Sequence, residues 1–176
     1  MKLRISKDFP RATILKLIGA TYPHVLADST VTFALGRARN PHLSGTCSGL
    51  THWDLDRADG FGGLTPIRVT VKIPGRTLYR RPEFAERCRQ LRRKGGYLRQ
   101  QWTSFGEDLA HTILHELGHV QQALDGRTHG PFEAEADARA YELRRRHSRL
   151  FRECAREFEK CAPEEYKGPF VFRSGV

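Results

Sequence analysis

Two histidines and a glutamate in one short segment are the residues of this sequence best suited to chemistry. The segment reads His-Glu-Leu-Gly-His and occupies residues 115–119. In a helix, His115 and His119 lie on one face, about 6 Å apart along the axis, so both imidazoles can reach a single metal ion. Glu116 is rotated by about 100° from His115, which suits it to taking a proton from a water molecule rather than to binding the metal. The segment therefore predicts a zinc site with Glu116 as general base.

An acidic segment downstream can supply a third ligand. It reads Phe-Glu-Ala-Glu-Ala-Asp-Ala-Arg-Ala and occupies residues 132–140. Glu133 can complete the protein ligands and leave a fourth position open, and Asp137 can accept the N–H on the far side of a ligand histidine. A short turn separates this segment from the first helix, so we expect the two helices to be antiparallel. The alternating alanines, opposite Gly118, would allow the helices to approach closely.

The motif His-Glu-x-x-His followed by Glu-x-x-Ala-Asp resembles the gluzincin branch of the zincin metallopeptidases. Its short linker makes it most similar to the minimal bacterial gluzincins, and the similarity covers about residues 107–141. The resemblance also implies that a strand antiparallel to the bound peptide precedes the active helix, a role that would fall to residues 67–73. It implies specific roles for the five residues already named: zinc binding by His115, His119 and Glu133, proton transfer by Glu116, and orientation of a histidine by Asp137.

Two other acidic residues compete for the third ligand position. Glu135 lies about 200° around the helix from Glu133, and its i+4 partner is Arg139, a cation where a metal site needs an acceptor. We therefore interpret Glu135 and Arg139 as an exposed ion pair. Asp125 has the spacing of a metzincin ligand, but Gln122 occupies the position where that branch needs a glycine turn. Glu133 is the preferred ligand.

Two further histidines flank the site. His111 lies one turn before His115 on the same face, and we expect it to pack beside a ligand rather than to bind the metal. His129 lies in the turn between the two helices and is a candidate for stabilising an oxyanion. An exposed loop histidine is the simpler interpretation of His129, so the electrophile stays open.

The elements that must position these residues run from strands to helices. Residues 37–65 show no periodicity and are predicted as a long loop, of the kind that is often functional. Prolines at both ends of the strand at 67–73 place it near a sheet edge. This order predicts one α+β domain over residues 1–176, with helices packed on one face of a small sheet, and the resemblance implies that this domain is zincin-like. The predicted elements are a strand at 1–5, a helix at 8–20 with Asp8 as N-cap, strands at 30–35 and 67–73, and helices at 82–94, 104–124 and 131–160.

The charge of the chain is strongly positive. There are 30 Lys and Arg against 20 Asp and Glu, a formal net charge of +10. Arginines cluster within residues 76–99 and 139–156. A solvated basic surface explains these clusters, and binding of nucleic acid or another polyanion is the alternative. Charge alone does not decide between them.

Cysteine spacing and hydropathy exclude several classes of protein. The four cysteines contain no Cys-x-x-Cys pair, which excludes a zinc ribbon. Cys154 and Cys161 are too far apart along one helix to form a disulfide, so we expect free thiols. No apolar run approaches the ~20 residues that span a bilayer, and the N-terminal segment lacks a signal peptide's apolar core. We therefore expect a cytoplasmic protein.

These features predict zinc-dependent hydrolysis of peptide bonds in a peptide or protein substrate, with Glu116 as the general base. Two alternatives stay open: a non-catalytic module that zinc stabilises for regulation or nucleic-acid binding, and a protease recruited to nucleic acid. A structural zinc site usually closes its fourth position, often with cysteine, and no cysteine lies near the motif. This absence favours the enzyme.

Overall fold

A computed structural model describes residues 1–38, 44–48, 67–74, 104–126 and 132–162 of the chain. The predicted mixture of helices and strands is confirmed. The predicted helix at 82–94 and the candidate His129 lie outside the described residues. The described elements are β1 (Lys2–Ile5), α1 (Arg11–Thr21), α2 (Pro23–Ala27), β2 (Thr32–Ala38), β3 (Ser44–Ser48), β4 (Arg68–Pro74), α3 (Phe105–Leu124), α4 (Phe132–Arg146) and α5 (Ser148–Glu159).

The four described strands form one sheet in the order β1-β2-β4-β3. β1, β2 and β4 are parallel, and β3 pairs antiparallel with β4. The prediction that the strand at 67–73 lies near an edge is therefore wrong, because β4 has a neighbour on each side. The bounding prolines restrict only the ends of the ladder, while Val69 and Val71 inside it are fully buried.

The predicted loop over residues 37–65 contains β3 and the end of β2. β3 reads Ser-Gly-Thr-Cys-Ser, which has neither apolar alternation nor a β-branched run. Its backbone pairs with β4 from Ser44, opposite Lys72, to Ser48, opposite Arg68. Pairing with a neighbouring strand, which local sequence does not encode, makes this segment a strand.

Two predicted helix boundaries also differ from the structure. α1 begins at Arg11, and its N-cap position is Pro10 rather than Asp8. A proline disfavours helical backbone angles at the residue before it. Phe9 precedes Pro10, so a helix is not expected to run from Asp8 through Phe9. The predicted helix at 131–160 is divided at His147, whose φ of −107° and ψ of 36° leave the helical region.

α3 is the longest helix of the described residues. It packs against α4, α5, β3 and β4. Its predicted ends are confirmed: the Ser104 hydroxyl accepts the amide N–H of Glu107 at 3.2 Å, and Gly126 beyond its C-terminus has a φ of +68°. One side of α3 is largely apolar and buried, and it includes Leu109, Ile113, Leu117 and Val120. Burial of each large apolar side chain contributes about 1.5–3 kcal/mol.

α5 fixes the start of α3. A Cβ atom added to Gly106 would lie 1.9 Å from the carbonyl oxygen of Ala155, so only glycine allows this contact. Cys154 is a buried free thiol and Cys161 a partly buried one, as predicted. In the part of the chain that the structure describes, no helix has the length and apolarity to cross a membrane.

Candidate metal centre

The two motif histidines share one face of α3, as their spacing predicts. Their Nε2 atoms are 3.2 Å apart. Gly118, between them, faces Ala136 of α4: a Cβ atom on Gly118 would lie 3.2 Å from both Cα and Cβ of that alanine. The absence of a side chain on Gly118 therefore lets α4 approach α3 closely, and this approach places Glu133 beside the histidines.

The carboxylate of Glu133 straddles the two imidazoles. Its Oε2 atom is 3.2 Å from Nε2 of His115, and its Oε1 atom is 3.4 Å from Nε2 of His119. Ligands about 2.0–2.2 Å from a tetrahedral zinc ion are about 3.3–3.6 Å apart, so the donor spacing fits zinc. The structure thus groups His115, His119 and Glu133 as residues that could hold a metal ion, and we call them the outer group.

The histidines control the charge of Glu133. Hydrogen bonds from His115 and then from His119 hold the pKa of the Glu133 carboxyl far below its usual range. Burial would lower the pKa of His119, but its hydrogen bonds with Glu133 and Gln122 outweigh burial and raise it. Glu133 is therefore ionised at neutral pH, as a metal ligand must be.

Glu116 is buried beside the outer group. Burial raises the pKa of its carboxyl, and the neighbouring charges of His115 and His119 oppose that rise. A carboxylate with a raised pKa is a stronger proton acceptor, which is the property that a general base at neutral pH requires. The environment of Glu116 therefore suits the predicted role.

Asp137 lies behind His115, on the side away from Glu133. Its Oδ1 atom is 3.9 Å from Nδ1 of His115, too far for a hydrogen bond, but 3.0 Å from Nε2 of His111. Both His111 and Asp137 are buried, and we call them the inner pair. The direct bond of Asp137 is thus with His111, and orientation of a ligand histidine stays a prediction.

The competing acidic residues lie elsewhere. Glu135 is half-buried rather than exposed, and its Oε2 atom accepts an N–H from Gln122 at 3.4 Å, so the predicted exposure of this residue is wrong. Asp125 is the C-cap of α3, where it accepts the side-chain N–H of Gln121 at 2.7 Å. Neither belongs to a group of described residues that could hold a metal ion.

Sequence reasoning missed the role of Gln122, which it used only to exclude a metzincin turn. The Oε1 atom of Gln122 lies 2.9 Å from Nδ1 of His119, and its Nε2 atom lies 2.9 Å from the carbonyl oxygen of Phe132. The spacing His119-x-x-Gln122 was the available signal, because residues three apart on a helix are neighbours.

The arginines of α4 and α5 are partly engaged within the chain. Arg146 pairs with Glu142 at 2.9 Å and Arg149 with Glu153 at 3.1 Å, while the Arg144 guanidinium lies 5.0 Å from the ring centre of Phe151. Such exposed pairs contribute little stability, but they reduce the charge presented to a partner. These contacts favour neither nucleic acid nor another polyanion.

Comparisons with protein-family models, with curated proteins and with solved structures found no match to this chain. The functional assignment therefore depends on the site itself: three converging donor atoms with metal-ligand spacing, open to solvent on the side of Glu133, and a buried carboxylate beside them.

Proposed function

We propose that this protein is a zinc-dependent peptidase of the gluzincin type, in which His115, His119 and Glu133 hold the metal. The observation that supports this most strongly is the convergence of the outer group: the two imidazole Nε2 atoms are 3.2 Å apart, and the two oxygens of Glu133 lie 3.2 Å from one and 3.4 Å from the other. Glu116, buried next to these atoms, supplies the base that hydrolysis needs.

The division of labour follows from the residue types. A bound zinc ion would supply Lewis acidity, which lowers the pKa of water and polarises the scissile carbonyl. Glu116 takes a proton from the attacking water and later gives that proton to the leaving amine, so one carboxyl acts as base and then as acid. Glu133 contributes a negative charge to the centre, and the imidazoles contribute neutral donors.

The contacts between α3 and α4 support the proposed antiparallel helix pair. Residues of α4 with increasing sequence numbers contact residues of α3 with decreasing sequence numbers. The successive contacts are Gln122 with Phe132, Gly118 with Ala136, His111 with Asp137, and Glu107 with Arg144.

The substrate-binding strand needs a different assignment from the one that the resemblance implied. β4 is paired on both sides, so its backbone has no free edge for a peptide. β3 is the terminal strand of the described sheet on the side where α3 packs against it. We therefore propose that β3 (Ser44–Ser48), instead of residues 67–73, pairs with the backbone of an extended substrate.

Cleavage of a peptide library by the zinc-loaded protein tests the proposal. Glu116→Gln keeps the shape of the side chain but removes its basicity, so we expect zinc retention with hydrolysis slower by about 10²–10⁴-fold. Glu107→Gln is the matched control on the same helix, and it should cleave like the wild type. A Glu116→Gln variant as active as the wild type would show that the general base is wrong. A wild type that holds zinc and cleaves nothing would favour the non-catalytic zinc module.

A further inference from the structure

Gln122 connects the two helices of the metal centre through both ends of its side-chain amide. It is buried on α3, one turn after His119. Its Oε1 atom faces Nδ1 of His119 at 2.9 Å. Its Nε2 atom faces the carbonyl oxygen of Phe132 at 2.9 Å and the carboxylate of Glu135 at 3.4 Å. We propose that Gln122 is a positioning residue, which fixes the tautomer of His119 and holds the start of α4 next to that histidine.

The orientation of the amide follows from its partners. A backbone carbonyl and an ionised carboxylate accept hydrogen bonds but cannot donate them. The amide atom that faces Phe132 and Glu135 must therefore be the NH₂ group, and the opposite orientation would place oxygen against oxygen on that side. The remaining amide atom is the carbonyl oxygen, and it faces His119.

This orientation determines the tautomer of His119. The amide oxygen can only accept, so its hydrogen bond with His119 requires a hydrogen on Nδ1 and favours the Nδ1–H form over the Nε2–H form that would donate to Glu133. In the neutral ring, Nε2 then keeps its lone pair, and Nε2 is the atom that faces His115 and Glu133. A histidine can bind a metal only through such a deprotonated nitrogen. Gln122 thus holds His119 in the tautomer that ligation requires.

The same side chain also determines where α4 begins relative to α3. Phe132 is the first residue of α4 and directly precedes Glu133. A carbonyl oxygen has two lone pairs, so that of Phe132 can accept from Gln122 in addition to a helical N–H. One amide therefore connects ligand His119 to the residue beside ligand Glu133. The effect of Gln122 on zinc binding depends on the proposed zinc site. Its effect on the tautomer of His119 does not depend on that proposal.

Replacement of Gln122 by residues of similar size separates the two effects. Gln122→Met fills a similar volume but makes neither strong hydrogen bond. Gln122→Glu can still accept from Nδ1 of His119 but, when ionised, cannot donate to Phe132. Gln121→Met is the matched control, because Gln121 contacts Asp125 and His24 rather than the outer group.

Nitrogen-15 chemical shifts of the His119 ring report the tautomer directly in zinc-free protein, at a pH above the raised pKa of His119, where the imidazole is neutral. We expect the Nδ1–H form in the wild type, Gln121→Met and Gln122→Glu, and a mixture of tautomers in Gln122→Met. Competition with a chelator should show zinc binding about 10–100-fold weaker in Gln122→Met than in Gln121→Met, the usual effect of removing a residue that orients a ligand.

The inference is overturned if Gln122→Met keeps a pure Nδ1–H tautomer, or if it binds zinc as tightly as the control. A wild type that binds no zinc at all would refute the proposed function, while the nitrogen shifts would still decide whether Gln122 fixes the tautomer. A wild type that binds zinc without cleaving peptides would likewise leave the inference intact.

Discussion

The outer group and the inner pair are built from the same kinds of side chain but differ in their access to solvent. In the outer group, the Glu133 side chain is 60% exposed and those of His115 and His119 are each 15% exposed. In the inner pair, the exposures are 6% for His111 and 10% for Asp137. Imidazole and carboxylate are therefore not enough to define a reactive site. The outer group is the more open of the two to a ligand, so we expect the inner pair to support it.

His115 lies between the other residues of the outer group and the inner pair. Its Nε2 atom faces Glu133 at 3.2 Å, and its Nδ1 atom faces Asp137 at 3.9 Å. Replacement of a residue in the outer group should therefore abolish metal binding. Replacement of a residue in the inner pair should only lower the metal affinity, because it acts through His115. The expected effects decrease from the outer group inwards.

The largest effect is expected for Glu133. Glu133→Ala removes one of three protein ligands, so zinc affinity should fall by more than about 100-fold, beyond the usual effect of losing an orienting residue. The thermal stabilisation that saturating zinc gives the wild type should disappear with it. Glu135→Ala is the comparison variant: Glu135 reaches the site only through Gln122 at 3.4 Å, and Gln122 keeps its shorter bond to Phe132, so this variant should keep most of the zinc. Elemental analysis of both variants measures the difference. Greater zinc loss in Glu135→Ala would transfer the ligand role to that residue.

An intermediate effect is expected for Asp137. Asp137→Asn preserves the shape of the side chain but removes the negative charge behind His115, so zinc should bind about 10-fold more weakly. The 3.9 Å separation puts this change at the low end of the usual range. Asp125→Asn, at the exposed C-cap of α3, is the control for the same chemical change. Equal zinc affinities for the two variants would show that the inner pair does not support the outer group.

The smallest effect concerns His111 and pH. Burial lowers the pKa of His111, against the opposing influence of its hydrogen bond with Asp137. The unfolded chain therefore takes up this proton first as pH falls below about 6.5, and the stability that His111 contributes above that pH is lost. In zinc-free protein, chemical denaturation at about pH 7 and about pH 5.5 should show a greater loss of unfolding free energy in the wild type than in His111→Asn. A loss that is the same in both proteins would mean that His111 does not titrate differently on folding.

How well the sequence predicts each element depends on whether local residues determine it. Ser104 and Gly126 mark the ends of α3 through capping and left-handed backbone, which need no distant partner. The convergence of the outer group also follows from helical spacing and the short link between the helices. The grouping of these three side chains was therefore predictable from residues 107–141.

Tertiary pairing decides the features that the sequence did not reveal. β3 has no strand pattern of its own, and only its ladder with β4 makes it a strand. Because β4 pairs with β3 as well as with β2, it is an interior strand of the sheet. For Gln122, helical spacing indicates the contact with His119, but the second contact, with the carbonyl oxygen of Phe132 at 2.9 Å, depends on the packing of another helix. The break at His147 has no proline or glycine to mark it.

X-ray absorption at the zinc edge tests the central claim most directly, because it identifies the atoms that surround the metal. We expect close to one zinc ion per chain, bound by two imidazole nitrogens and by oxygen, with no sulfur. Absorption by His119→Ala should show most of the zinc lost. A zinc ion with sulfur ligands, or full zinc content in His119→Ala, would contradict a centre formed by His115, His119 and Glu133.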